Sequence, residues 1–209
     1  MARIGKSGGY RKLASFQTAT IIYDATVWFC EKFVDSRSRT IDQMIQAARS
    51  GRQNIAEGSR AGATSSQTEL RLVNVARASL EELLLDYEDY LRHRRLPLWP
   101  PSGPDATAVR SVASNWKRDR SDHTNLTDLS DQERWALYSS WLDHADPAIR
   151  ANASICLIHQ ANFLLDQQID ALEKQFIDEG GYSEQLANAR LQKRAESRMN
   201  GSLTQSTNN

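Results

Sequence analysis

Thr40 to Arg95 reads TIDQMIQAARSGRQNIAEGSRAGATSSQTELRLVNVARASLEELLLDYEDYLRHRR. Two periodic apolar runs flank a turn rich in Gly, Ser and Ala. In the first, Ile41, Met44/Ile45, Ala48, Gly51 and Ile55 recur at helical spacing. In the second, Leu70, Val73, Ala76, Leu80, Leu83/Leu84, Tyr87 and Leu91 form one seam. Such spacings predict amphipathic helices, here a helical hairpin. Thr40 with Gln43, and Ser66 with Glu69, match the capping-box pattern, and Gly58 suits a helix C-terminus. The second helix would be about 40 Å long, ending in Arg92-His93-Arg94-Arg95.

Outward from the hairpin, the chain is helical on both sides. Leu13 to Asp35 carries Leu13, Phe16, Ala19, Tyr23, Val27, Cys30 and Val34 on one stripe, widened by Trp28, Phe29 and Phe33. Asp146-Pro147 is a strong helix start, opening a run to Glu179 before Gly180-Gly181. Its expected face is Ile149, Ala153, Cys156, Gln160, Phe163/Leu164, Gln167, Ala171 and Phe176. Both helices are apolar around much of their circumference, which predicts contact with several neighbours, in the same or another subunit. Between the third and fourth long helices, prolines 97, 100, 101 and 104 break the pattern. Pro97 to Asp146 therefore reads as an insertion, with helical pieces near Asp105–Trp116 and Ser130–Leu142. Its tryptophans are expected to pack it onto the bundle more than to stack bases.

The expected fold is all-α: an antiparallel up-down four-helix bundle over residues 10–179, with the insertion at 97–146. A flexible N-terminus covers 1–9, and a C-terminal short helix and disordered tail cover 180–209. Cys30 and Cys156 sit among apolar residues and read as buried thiols, which suits a reducing compartment. No secretory leader pattern or membrane span is apparent, so the expected location is cytoplasmic.

The 26 basic and 26 acidic residues balance, but unevenly. Through Trp99 there are 15 Lys and Arg against 11 Asp and Glu, and beyond it 11 against 15. A basic half hints at an anionic partner. Arg49, Arg52 and Arg60 near the hairpin turn, with Arg71 and Arg77 on the next helix, could hold phosphates without reading sequence. Pairing with Asp42, Glu57 or Glu69 is the competing reading for Arg49 and Arg52. Arg92, Arg94 and Arg95 form a second basic cluster, for which helix-end electrostatics competes. Asn54 and Glu57 are expected to tie helix ends across the turn.

Catalytic chemistry finds no support in the residue pattern. A di-iron site in a four-helix bundle needs Glu-x-x-His on two helices, and that motif does not occur. His159 stands alone and reads as a core or interface residue. Neither catalytic residues, nor a metal site, nor a cofactor is expected.

Ala47-Ala48, Asn54-Ile55-Ala56-Glu57-Gly58, Glu69, Ala76, Ser79, Leu80, Glu82 and Leu83 occur in an order that resembles the four-helix-bundle proteins associated with intervening sequences in ribosomal RNA genes. The similarity runs over roughly Tyr10 to Leu91. The insertion, Cys156-Leu-Ile-His-Gln-Ala-Asn-Phe-Leu-Leu and Gly180-Gly181 look like a longer variety with a suffix segment. A related branch holds the accessory variability protein of diversity-generating retroelements, a barrel-like homopentamer. The resemblance implies a homo-oligomer, five copies in that branch, that binds RNA or DNA and serves as accessory or scaffold to a reverse transcriptase. It makes Asn54, Glu57, Gly58, Glu69, Ser79 and Glu82 motif residues. A bundle whose partners are other proteins, with no nucleic acid bound, is the alternative.

Overall fold

The computed structural model describes residues 9–119, 125–179, 187 and 190–194. The expected flexible N-terminus, apart from Gly9, and most of the expected C-terminal segment lie outside the described residues.

Four long helices carry the fold: α1 (Ala14–Phe33), α2 (Thr40–Ala61), α3 (Ser66–His93) and α7 (Pro147–Glu179). Between the last two lie α4 (Pro104–Asp119), α5 (Asp131–Ala136) and α6 (Ser139–Leu142). The long helices close a ring, with α1 against α2 and α7, and α3 against α2 and α7. Side-chain pairs give the direction of each contact. Along α3 and α7, Arg77 meets Asp166, Glu81 meets Asn162 and Tyr87 meets Ser154. One number falls as the other rises, so the two helices run antiparallel. Ser15 with Gln168 and Phe33 with Arg150 say the same of α1 and α7.

Tyr87 joins three of these helices. It is fully buried, its hydroxyl donates to Thr26 Oγ1 of α1 at 3.1 Å, and Ser154 of α7 also bonds it. Its ring lies 5.1 Å from that of Phe29. Burial pushes its phenol far above the usual tyrosine range. A buried hydroxyl without partners would cost about 1–3 kcal/mol, so this contact also fixes the registers.

Several local expectations change. On α1, Ala19 and Cys30 of the expected stripe are fully buried, joined by Ile22, Thr26 and Phe29, while Leu13, Phe16, Tyr23 and Val34 are only partly buried. On α7, Ala153 and Cys156 of the expected face are buried, but the fully buried residues include Ala151, Ile158, Ala161 and Leu165, and Phe163 and Phe176 are exposed. His159 is exposed, not in the core. Each helix is apolar nearly all round, so periodicity alone could not single out one face.

Gly58 does not end α2, which continues to Ala61. It is buried against α3, where an added Cβ would lie 3.4 Å from the Glu69 carbonyl and from Leu72 Cβ. The cap of α3 is Ser65, one residue before the expected Ser66, and it accepts from Thr68 N–H. Thr40 makes no capping bond; Ser38 Oγ accepts its N–H instead. Ser130 and Glu133 form a capping box, and the Asp146 carboxylate accepts the Ala148 N–H at 2.8 Å.

The insertion is packed onto α1 and α7. Ala106 and Val109 of α4 are buried, and α4 and α6 both contact α7. Trp99, Trp135 and Trp141 pack against the core, and Trp135 stands edge-on to Trp28 of α1 at 4.5 Å. Among the described residues, no helix is long and apolar enough to cross a membrane.

Candidate nucleic-acid interface

The expected basic residues do not form one patch. Arg52 and Arg60 do come together, on the side of α2 facing α1. They line a shallow depression of about 330 Å³ with Tyr10, Arg11, Phe16, Thr20, Gln53, Glu57 and Asp131. Tyr10 and Arg11 are supplied by a 3-10 turn, Gly9–Lys12, immediately before α1. Gln17, buried on α1, holds that turn: its Nε2 donates to the Arg11 carbonyl at 2.7 Å and to the Thr127 carbonyl at 2.9 Å.

Each arginine here is set against an aromatic ring. The Arg52 guanidinium lies 4.1 Å from the centre of Tyr23, and that of Arg60 lies 4.9 Å from Tyr10. Arg60 Nη2 also donates to the Tyr10 hydroxyl at 3.1 Å. Arg11 stands 5.4 Å from the same ring, which packs edge-on to Phe16 at 4.8 Å. Stacking restrains a guanidinium without consuming its N–H groups; Arg60 spends one nitrogen, Nη2, on Tyr10, and its other N–H groups remain to face an oxyanion. Glu57 and Asp131 moderate the charge. Asp24, beside Arg52, has its carboxyl pKa raised by burial; Arg52 pulls it down and Asp131 pushes it up.

The remaining arginines go elsewhere. Arg49 is exposed and makes no pair with Asp42, Glu57 or Glu69. Arg71 lies on the outer side of α3, in an apolar dent with Leu70, Val75 and Ala78. Arg77 is committed to Asp166, 2.5 Å away on α7. Arg92 bonds Asp89 at 2.5 Å, and Arg94 covers Tyr90 at 3.8 Å. Arg95 takes φ 55°, the left-handed conformation that terminates α3. This second cluster lies at the end of α3, apart from the depression that holds Arg52 and Arg60.

The motif residues sit in different surroundings. Asn54 Nδ2 donates to the Ser50 carbonyl and hydroxyl at 2.9 and 3.1 Å, within its own helix. Glu57 is exposed, so the expected tie across the turn is not made. Ser79 is buried, with Oγ 3.0 Å from both Ser50 Oγ and the Val75 carbonyl. Glu69 is half-buried, and desolvation raises its carboxyl pKa. Glu82 is exposed at the edge of a groove between α2 and α3. Among the described residues, no group of three or more His, Cys, Asp or Glu is placed to hold a metal ion.

Tyr10 and Arg11 are not among the expected site residues, and Tyr23 is expected only as part of the apolar stripe of the first helix. The signal was the aromatic-basic string Tyr10-Arg11-Lys12, whose partner Arg60 lies 50 residues away.

In class, the molecule is a helical bundle with an arginine–tyrosine surface at one edge. No family model, curated protein or solved structure matches the chain.

Proposed function

We propose that this chain is a non-enzymatic nucleic-acid-binding scaffold that holds the phosphate backbone on the surface made by Tyr10, Arg11, Arg52 and Arg60. The supporting observation is the pre-set stacking of Arg52 on Tyr23 and of Arg60 on Tyr10. Three guanidinium groups within one open depression suit contacts to successive phosphates, and Tyr10 adds a ring on which a base could stack. Such contacts position a strand without reading its sequence. An accessory role beside a reverse transcriptase rests on the resemblance alone, and a cytoplasmic location on the two free, buried thiols, Cys30 and Cys156.

The test compares binding to RNA and duplex DNA at low salt for the wild type, the triple variant R11Q/R52Q/R60Q and the control R77Q. The expected result is a loss of roughly tenfold or more in the triple variant and little change in the control. Equal binding by wild type and triple variant would refute the assignment.

A second reading, a bundle that binds protein and no nucleic acid, is favoured by the exposed apolar residues Val75 and Leu85 on α3.

A further inference from the structure

The outward side of α3 carries a second seam, opposite the one that faces the core. Arg71, Val75, Ala78, Glu82, Leu85 and Asp89 follow one another at alternating spacings of four and three. That is the spacing by which one helix meets another along its length. All but Asp89 are exposed, Val75 at 42% and Leu85 at 57%, and the Asp89 side chain is 49% exposed. Scattered surface leucines need no explanation. These residues are different in their order.

Read from its two ends, the seam is its own complement. A second α3 laid antiparallel sets Val75 against Leu85, Ala78 against Glu82 and Arg71 against Asp89. Each pairing then occurs twice about one two-fold axis: apolar on apolar, a small residue beneath a glutamate stem, a cation facing an anion. The axis passes at the level of Leu80.

An independent feature lies at that level. Phe163 of α7 is 61% exposed. It is bracketed by the Arg77–Asp166 and Glu81–Asn162 contacts, which place it level with residue 80 of α3. A two-fold axis perpendicular to α3 sets α7 on the same side as its counterpart, so both Phe163 rings would stand level beside the axis.

We propose that this chain forms a two-fold homodimer through the outer face of α3, with Phe163 flanking the axis. The contact is isologous and closes with two copies, whereas a five-membered ring would need a heterologous one. Asp89 already bonds Arg92 of its own chain through Oδ1. Arg71 of the second copy would therefore approach the other oxygen.

The experiment measures the mass of the full chain by light scattering at tens of micromolar. The expected mass is twice the 23.6 kDa of one chain. R71D and D89R each put like charges opposite one another twice, so each alone should weaken the dimer by roughly tenfold or more. Mixed in equal amounts, the two variants present opposite charges at both contacts, and the dimer should return. L85D should give single-chain mass with unchanged helical circular dichroism, because the residue is exposed. A single-chain mass for the wild type would overturn the proposal. So would an oligomer indifferent to all three substitutions, or a mixture of R71D and D89R that fails to recover.

Discussion

The side-chain oxygen of Asn152 on α7 accepts the backbone N–H of Trp99 at 2.7 Å. The Asn152 amide donates to the Pro97 carbonyl at 2.9 Å and to the Ala148 carbonyl at 2.8 Å. Asn152 is 1% exposed. One buried side chain thus fastens the start of the insertion to the bundle and satisfies polar backbone groups that proline-rich chain cannot pair by itself. Asn152→Ala should cost about 2–4 kcal/mol in urea unfolding and open the 97–103 segment to proteases. Wild-type stability in this variant would mean that the strap is not held here.

Gly51 allows α2 and α3 to approach closely. A Cβ there would lie 2.7 Å from Leu80 Cδ2 and 2.8 Å from its Cγ, and Leu80 is fully buried. Gly51→Ala gains helix propensity of about 1 kcal/mol, yet overpacking should leave it net destabilised by about 1–2 kcal/mol. In an L80A background the clash is gone, and the same substitution should be neutral or stabilising. A double-mutant cycle checks this.

Cys30 is fully buried, and its Sγ lies 3.8 Å from Met44 Sδ. Burial, reinforced by the charges of Asp86 and Glu31, pushes its thiol up to about 12. The folded chain therefore holds this proton to higher pH than the unfolded chain does. Its contribution to stability is complete below the ordinary thiol range and is lost as pH rises towards 12. Between pH 8 and pH 11, wild type should lose stability more steeply than Cys30→Ala. At pH 8 the native thiol should resist alkylation and react once the chain is unfolded.

Asp86 is half-buried on α3, and its carboxyl pKa is raised, first by desolvation and then by Asp89 and Glu82. A raised carboxyl favours the folded state as it takes up its proton, so acidification strengthens this site. Asp86→Asn should raise the melting temperature at pH 7. The gap to wild type should narrow as pH falls from above the ordinary carboxylate range into it, and be gone below it. A gap that widens on acidification would reverse the assigned sign.

The sequence was most legible where a helix has one apolar face. In α3, Val73, Ala76, Leu80, Leu83, Tyr87 and Leu91 were expected inside and are buried. It was least legible in α1 and α7, where apolar residues on nearly every side leave the inward face to be chosen by tertiary partners such as Tyr87. Gly58 was misread because a glycine that ends a helix and one that admits a neighbouring helix look alike in sequence. The candidate site was half legible. Arg52 and Arg60 share a helix, but Tyr10 and Arg11 reach them only because Gln17 folds the preceding turn back, a contact that no local pattern encodes. The Arg77–Asp166 pair was not legible, because the two residues lie 89 positions apart.

The most direct measurement is the affinity of purified protein for duplex DNA and single-stranded RNA across a salt series. The scaffold reading predicts affinity that falls steeply as salt rises, with a slope equivalent to a few released counterions. It also predicts a flatter slope in R11Q/R52Q/R60Q and an unchanged one in R77Q. No binding at low salt, or a slope that the triple substitution leaves as it was, would contradict it.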